Sequence, residues 1–160
     1  MAAGHESVVY DVHDFKVYEM LTDNSASANP TYGPAVDVPG IAEVSLEPNF
    51  VTAELKGDAT VIAKKGRVDR MNLSATYGKV SLDVLKVILG GTVTDQANSA
   101  EWLLLGENRL PYFKVEFKIA DVELGLGSVN VIVFKCQLTG GTLLGGSSDE
   151  FGQPTLELEG

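Results

Sequence analysis

Little in this 160-residue chain is suited to chemistry. It has one cysteine, Cys136, so no disulfide can close within it. Cys136 lies in an apolar run, the setting of a buried structural thiol rather than of an activated nucleophile. Histidine occurs twice, at His5 and His13, with no clustered ligand partners in sequence. Gly125-Leu126-Gly127 lacks the third glycine and the following helix of a dinucleotide loop, and the glycines of 140–146 lack the Lys-Ser/Thr ending of a phosphate loop. Asn72-Leu73-Ser74 has the form of a glycosylation sequon, read here as coincidence because no secretion signal accompanies it. Basic residues are scarce, 12 against 22 acids, for a net charge of −10. A surface of that sign does not hold nucleic-acid phosphates. No apolar run approaches the length of a membrane span, and MAAGHES lacks the basic and apolar parts of a signal peptide. A protein made and used in a cytosol, or assembled there, is expected, with no catalytic role, cofactor or metal.

What the chain does have is apolar content and β-formers. Hydrophobic residues make up 44%, and 17 glycines accompany many Val, Thr and Ile residues, which favours an all-β fold in a single domain. Charge is uneven. Residues 1–55 carry −8, 56–86 carry +4 and 87–160 carry −6. A basic middle between acidic flanks suits a self-complementary assembly.

Residues 1–14 read as a mobile lead-in and 15–160 as the domain. A first strand is expected over 15–21, with Phe15, Val17 and Glu19 opposed to Lys16, Tyr18 and Met20. Residues 22–40, with three prolines and two glycines, read as one long loop. Strand character resumes over 41–55, where Pro48 marks an edge or a break. Lys56-Gly57-Asp58 reads as a turn, and a hairpin is expected around Lys65-Gly66, joining 59–64 to 68–77. Residues 92–101 read as polar loop. Residues 112–120 alternate Phe113, Val115, Phe117 and Ile119 with Lys114, Glu116 and Lys118. Residues 129–138 read as a strand covered on both faces, with Ile132, Phe134, Cys136 and Leu138 on one side. A glycine-rich loop fills 140–152, and a final strand over 155–159 alternates Leu156 and Leu158 with acids.

One stretch breaks the β pattern. Residues 81–91, SLDVLKVILGG, have a cap candidate in Ser81 and an acid in the first turn, Asp83. Leu82, Leu85 and Leu89 form a helical stripe widened by Val84 and Ile88, and Gly90-Gly91 stops it. Two turns are too few to be stable alone, so the helix is expected to plug an apolar opening, as the cap of a two-sheet β-sandwich.

The order of segments then resembles the major tail tube protein of long, non-contractile-tailed bacteriophages. The resembling pieces are Asp37-Val38-Pro39-Gly40, Glu54-Leu55-Lys56-Gly57-Asp58, residues 81–91, Asn108-Arg109-Leu110-Pro111-Tyr112-Phe113 and Leu138-Thr139-Gly140-Gly141, in order across 15–160. The resemblance implies a β-sandwich with one short helix and long assembly loops. It implies homohexameric rings stacked into a hollow tube, assembled in the host cytoplasm and ending as the virion tail. Its partners would be itself, a tape-measure protein and tail completion proteins, with DNA passing through the lumen unbound and no membrane involved. Within that reading, Pro30, Tyr32, Pro34, Val36, Val38 and Pro39 are expected to order against a neighbouring subunit. Lys64, Lys65, Arg67 and Arg70 are expected to supply charge between rings, and Ser81, Leu82, Leu85, Ile88 and Leu89 to form the structural helix. Two other readings compete. One is a β-sandwich binding, adhesion or virion-decoration module, for which the single tryptophan, Trp102, is a thin aromatic complement. The other is the tube protein of a contractile injection or secretion system.

Overall fold

The computed structural model describes residues 9–23, 30–79, 81–106, 109–121, 128–144 and 153–160. His5, most of the lead-in, Gly125-Leu126-Gly127, Asn108 and most of the 140–152 loop lie outside the described residues. The fold is all-β with one short helix, as expected. Its strands are β1 (Val9–Thr22), β2 (Thr31–Asp37), β3 (Ile41–Gly57), β4 (Thr60–Tyr77), β5 (Thr92–Gln96), β6 (Ser99–Leu103), β7 (Phe113–Asp121), β8 (Ser128–Gly140) and β9 (Thr155–Glu159). The helix α1 (Leu82–Leu89) falls between β4 and β5.

Seven strands form one antiparallel sheet in the order β2-β1-β7-β8-β9-β4-β3, and β5-β6 is a separate hairpin. The two layers expected of a sandwich are therefore continuous through β8. Its first part pairs with β7 from Ser128 to Cys136, and its last part pairs with β9 from Gln137 to Gly140. Inward side chains from both halves meet in one core. Phe15 and Val17 come from β1, Phe113, Val115 and Phe117 from β7, Leu73, Ala75 and Tyr77 from β4, and Leu156 and Leu158 from β9. The alternations predicted for β7 and β9 are present, and the inner end of β4 alternates likewise, with Leu73, Ala75 and Tyr77 buried.

Two bulges keep those faces inward. In β1 the pairing with β7 steps from His13↔Lys118 to Lys16↔Glu116, so β1 spends one extra residue. Asp14 takes that place with φ 57°, a left-handed conformation that Asp tolerates better than most residues. Val12 before it and Phe15 after it then both reach the core. Asp14 lies between Lys118 and Lys16, each 2.9 Å from its carboxylate. The lysine hydrogen bonds, Lys118 first, hold its pKa down at about 2. In β8 the step is from Val133 to Cys136 against Val115 to Phe113, with Lys135 at φ 50°. This bulge corrects the expected face of β8. Val133 and Cys136 point inward, whereas Ile132 and Phe134 are exposed on the other side.

Other expectations need correction. The lead-in ends sooner, because β1 already starts at Val9. Residues 22–40 are not a continuous loop: Thr31–Asp37 is an edge strand on β1. An edge suits Pro34, whose missing N–H removes nothing from the ladder, and the pairing is irregular there, between Tyr18↔Ala35 and Met20↔Tyr32. Val38 is buried within the same chain, its N–H donating to the Phe15 carbonyl at 2.9 Å. Residues 92–101 form the β5-β6 hairpin rather than loop. The turn read at Lys56-Gly57-Asp58 is present at Asp58-Ala59, both with positive φ, as in the two-residue turn that matches strand twist, and it is this turn that joins β3 to β4. Lys65 and Gly66 are mid-strand, opposite Ala53 and Thr52. Pro48 does stand on an edge strand, as read.

The helix closes the core as expected, but its buried face is rotated. Val84, Leu85, Val87 and Ile88 are buried, while Leu82 and Leu89 are half-buried. It packs on β1, β2, β5, β6 and β8. The Ser81 hydroxyl makes no capping bond. The other end is secured by the Gly90 N–H to the Lys86 carbonyl at 2.9 Å and by the Trp102 indole N–H to the Gly90 carbonyl at 3.0 Å. Gly91, at φ 90°, lies so close to the Leu103 carbonyl that no Cβ would fit.

Two outcomes test this packing. Leu85 is 1% exposed, so Leu85→Ala should cost about 2–5 kcal/mol in chemical denaturation, and Leu85→Asp should abolish soluble expression. The Asp14 carboxyl should titrate near 2 by NMR, and Lys118→Met should move it upward. A carboxyl depressed in the folded state stabilises above its ordinary range, and that stability is lost as pH falls toward about 2.

Candidate functional site

Among the described residues, those that could carry chemistry are not brought together. Among the described residues no group of three or more His, Cys, Asp or Glu side chains is placed to hold a metal ion. Cys136 is fully buried, its thiol donating to the Val133 carbonyl at 3.3 Å. Burial pushes that thiol up to about 12, far from the thiolate a nucleophile needs. His13 is half-buried in the β1 bulge opposite Lys118, and its Nδ1 meets no hydrogen-bond partner among the described residues. Trp102 spends its indole N–H on the end of α1, which makes it structural. No helix among the described residues is long and apolar enough to cross a membrane.

The outer face of β1, β7 and β8 carries a laced polar cluster beside the exposed Ile132 and Phe134. Tyr18 donates to Glu116 at 2.8 Å and Asn130 donates to the same carboxylate at 3.0 Å. These bonds hold Glu116 below the usual carboxylate range, while burial first, and Glu116 second, push the Tyr18 phenol up. Lys114 lies 3.9 Å from the Tyr18 ring centre and 5.1 Å from that of Tyr32. Of the residues expected at a subunit boundary, Pro30 and Tyr32 line a small apolar hollow of about 330 Å³ with Phe134 and Lys135. Val36 packs against the core, Val38 is in it, Pro39 is half-buried in the turn after β2, and Pro34 is exposed. Much of that segment therefore seats on its own subunit.

The surface that stands out is the far end of the β3-β4 hairpin. The two strands pair from Ile41↔Tyr77 to Gly57↔Thr60, and only the near end lies over the core. From Asn49 to Lys56 on β3, and from Thr60 to Arg70 on β4, every residue is exposed. This projecting arm includes Phe50, Val51, Leu55, Val61, Ile62 and Val68, exposed by between 44% and 66%. Sequence reading missed the arm because its alternation is weak: neither face has a core to face, so apolar and polar residues share both.

The arm also carries the cations singled out from sequence, though not at a turn. Lys64 pairs with Glu54 across the strands at 3.2 Å. Arg70 reaches Glu159 of β9 at 2.9 Å and Asp69 at 3.2 Å, partners that raise its pKa. Arg67 is 3.9 Å from Asp69, and Lys65 has no ion pair among the described residues. Exposed pairs of this kind contribute little to stability, about 0–1 kcal/mol each, so the charges are available to a partner. Compared with family models and with curated proteins, the chain matches none.

Cys136 gives a direct check of this assignment. The native protein should fail to react with Ellman's reagent at pH 8, and one thiol per chain should appear on denaturation.

Proposed function

We propose that this chain is a structural subunit that assembles with copies of itself into rings stacked as a hollow tube. This is the role implied by its resemblance to the major tail tube proteins of long-tailed bacteriophages. The observation that carries the reading is the uncovered β3-β4 arm. Six large apolar side chains stand in water on a two-stranded ribbon, and a ribbon of that kind is marginal alone. Self-association covers them. Among the described residues the sheet ends in two edge strands, β2 and β3, and closing a ring removes unpaired edges. A net charge of −10 suits the wall of a DNA conduit, because such a wall does not retain phosphates. The sugar-binding alternative has less support, since the only tryptophan is committed to the helix end.

Negative-stain electron microscopy of the purified protein, with sedimentation across a concentration series, tests the proposal. Rings or tubes that grow with concentration are expected. A dispersed monomer at every concentration would overturn it, and glycan binding by that monomer would favour the binding-module reading.

A further inference from the structure

The arm differs electrically from the body that carries it. Residues 49–70 hold five cations and three acids, a net of +2, which leaves −12 on the rest of the chain. The two faces of the arm also differ. Residues directly opposite across an antiparallel pair share a face. One face therefore carries Phe50, Thr52 and Glu54 opposite Val68, Gly66 and Lys64, with its charges paired at 3.2 Å. The other carries Val51, Ala53 and Leu55 opposite Arg67, Lys65 and Ala63. This second face is an apolar strip beside two cations. Lys65 has no ion pair among the described residues, and Arg67 meets an acid only at 3.9 Å.

Two such faces laid on one another would set cation against cation and leave both sets of charges uncompensated. The same face laid on the acidic body of another molecule buries the strip and neutralises the cations. We infer that the arm of one copy docks, through its Val51, Leu55, Lys65 and Arg67 face, on the acidic body of a second copy. This rests on the self-assembly reading above. The contact is heterologous: each copy donates one patch and accepts on a different one, so association does not stop at two molecules but continues to a ring or a filament.

A chain with no arm separates this arrangement from arm-to-arm pairing. Excising residues 52–66 and joining Val51 to Arg67 through Asn-Gly preserves the pairing register with a two-residue turn and leaves the core residues in place. That chain can accept an arm but cannot donate one. Mixed with the natural chain at about a tenth of the total, it should terminate growth and lower the mean particle mass by light scattering several-fold. The full-length double variant Lys65→Glu, Arg67→Glu should assemble about tenfold more slowly at low salt, with the deficit shrinking as salt screens the repulsion. An armless chain that folds and leaves the particle mass unchanged would overturn the heterologous contact while self-assembly stood. If the armless chain does not fold, an unchanged assembly rate for the double variant overturns the inference. A natural chain that stays monomeric overturns both this inference and the reading beneath it.

Discussion

A sheet with one apolar face can enclose a core only if every strand keeps that face inward along its length. Side chains alternate strictly, so a strand that crosses a bend must gain or lose a residue to stay in phase. This chain gains one at several places among the described residues, and two of them, at Asp14 in β1 and at Lys135 in β8, stand on either side of β7. Without the first, Val12 and Phe15 would face opposite sides; without the second, Val133 and Cys136 would. Both extra residues adopt a conformation disfavoured for L-residues, and both hold a carboxylate–ammonium pair, Asp14 with Lys16 and Lys118 and Lys135 with Asp23. The helix then fills the space that the bent sheet leaves open.

How much of this was legible follows from what each segment packs against. β7 and β9 alternate cleanly because one face meets the core and the other meets water. The helix was visible because six apolar residues crowd a short stretch ended by two glycines, although the burial of Val87 ahead of Leu82 depends on the angle at which α1 docks. The bulges were hidden, because neither Asp14 nor Lys135 is a glycine and nothing local marks positive φ there. β2 was hidden by Gly33 and Pro34, residues of loops that an edge strand also tolerates. The turn read near Gly57-Asp58 is there, at Asp58-Ala59, where an alanine takes φ 62° because strand twist demands it, but the second turn read at Lys65-Gly66 is mid-strand. The candidate surface was half legible. Its charges were apparent in the sequence; the arm that projects them needed the pairing register of two long strands.

The division between body and arm is a division of energetic labour. In the body, the core side chains reach near-zero exposure while others such as Leu105 and Phe134 stay exposed, and polar groups such as Tyr18, Glu116 and Asn130 are tied to one another. In the arm, the two strands pair along their length, with irregularities at Asn49/Phe50 and Leu55/Lys56, while side-chain burial is nearly absent. A ribbon stabilised by its ladder but not by packing has little to resist twisting or bending. It can adapt to a partner surface with small cost, and its order in the free chain depends on its junction with the body, where Met71 and Gly160 exchange two backbone hydrogen bonds at 2.8 and 2.9 Å.

The passage of β8 from β7 to β9 has a mechanical meaning. Neither half of the sheet owns that strand, and the two halves share a single set of core side chains. Separating them would break a strand in its middle and open the core to water at once. The body should therefore lose its structure as one cooperative unit, with no half-unfolded state in which one side survives. A wall built from such units would have its compliance at the joints between molecules and its stiffness within them.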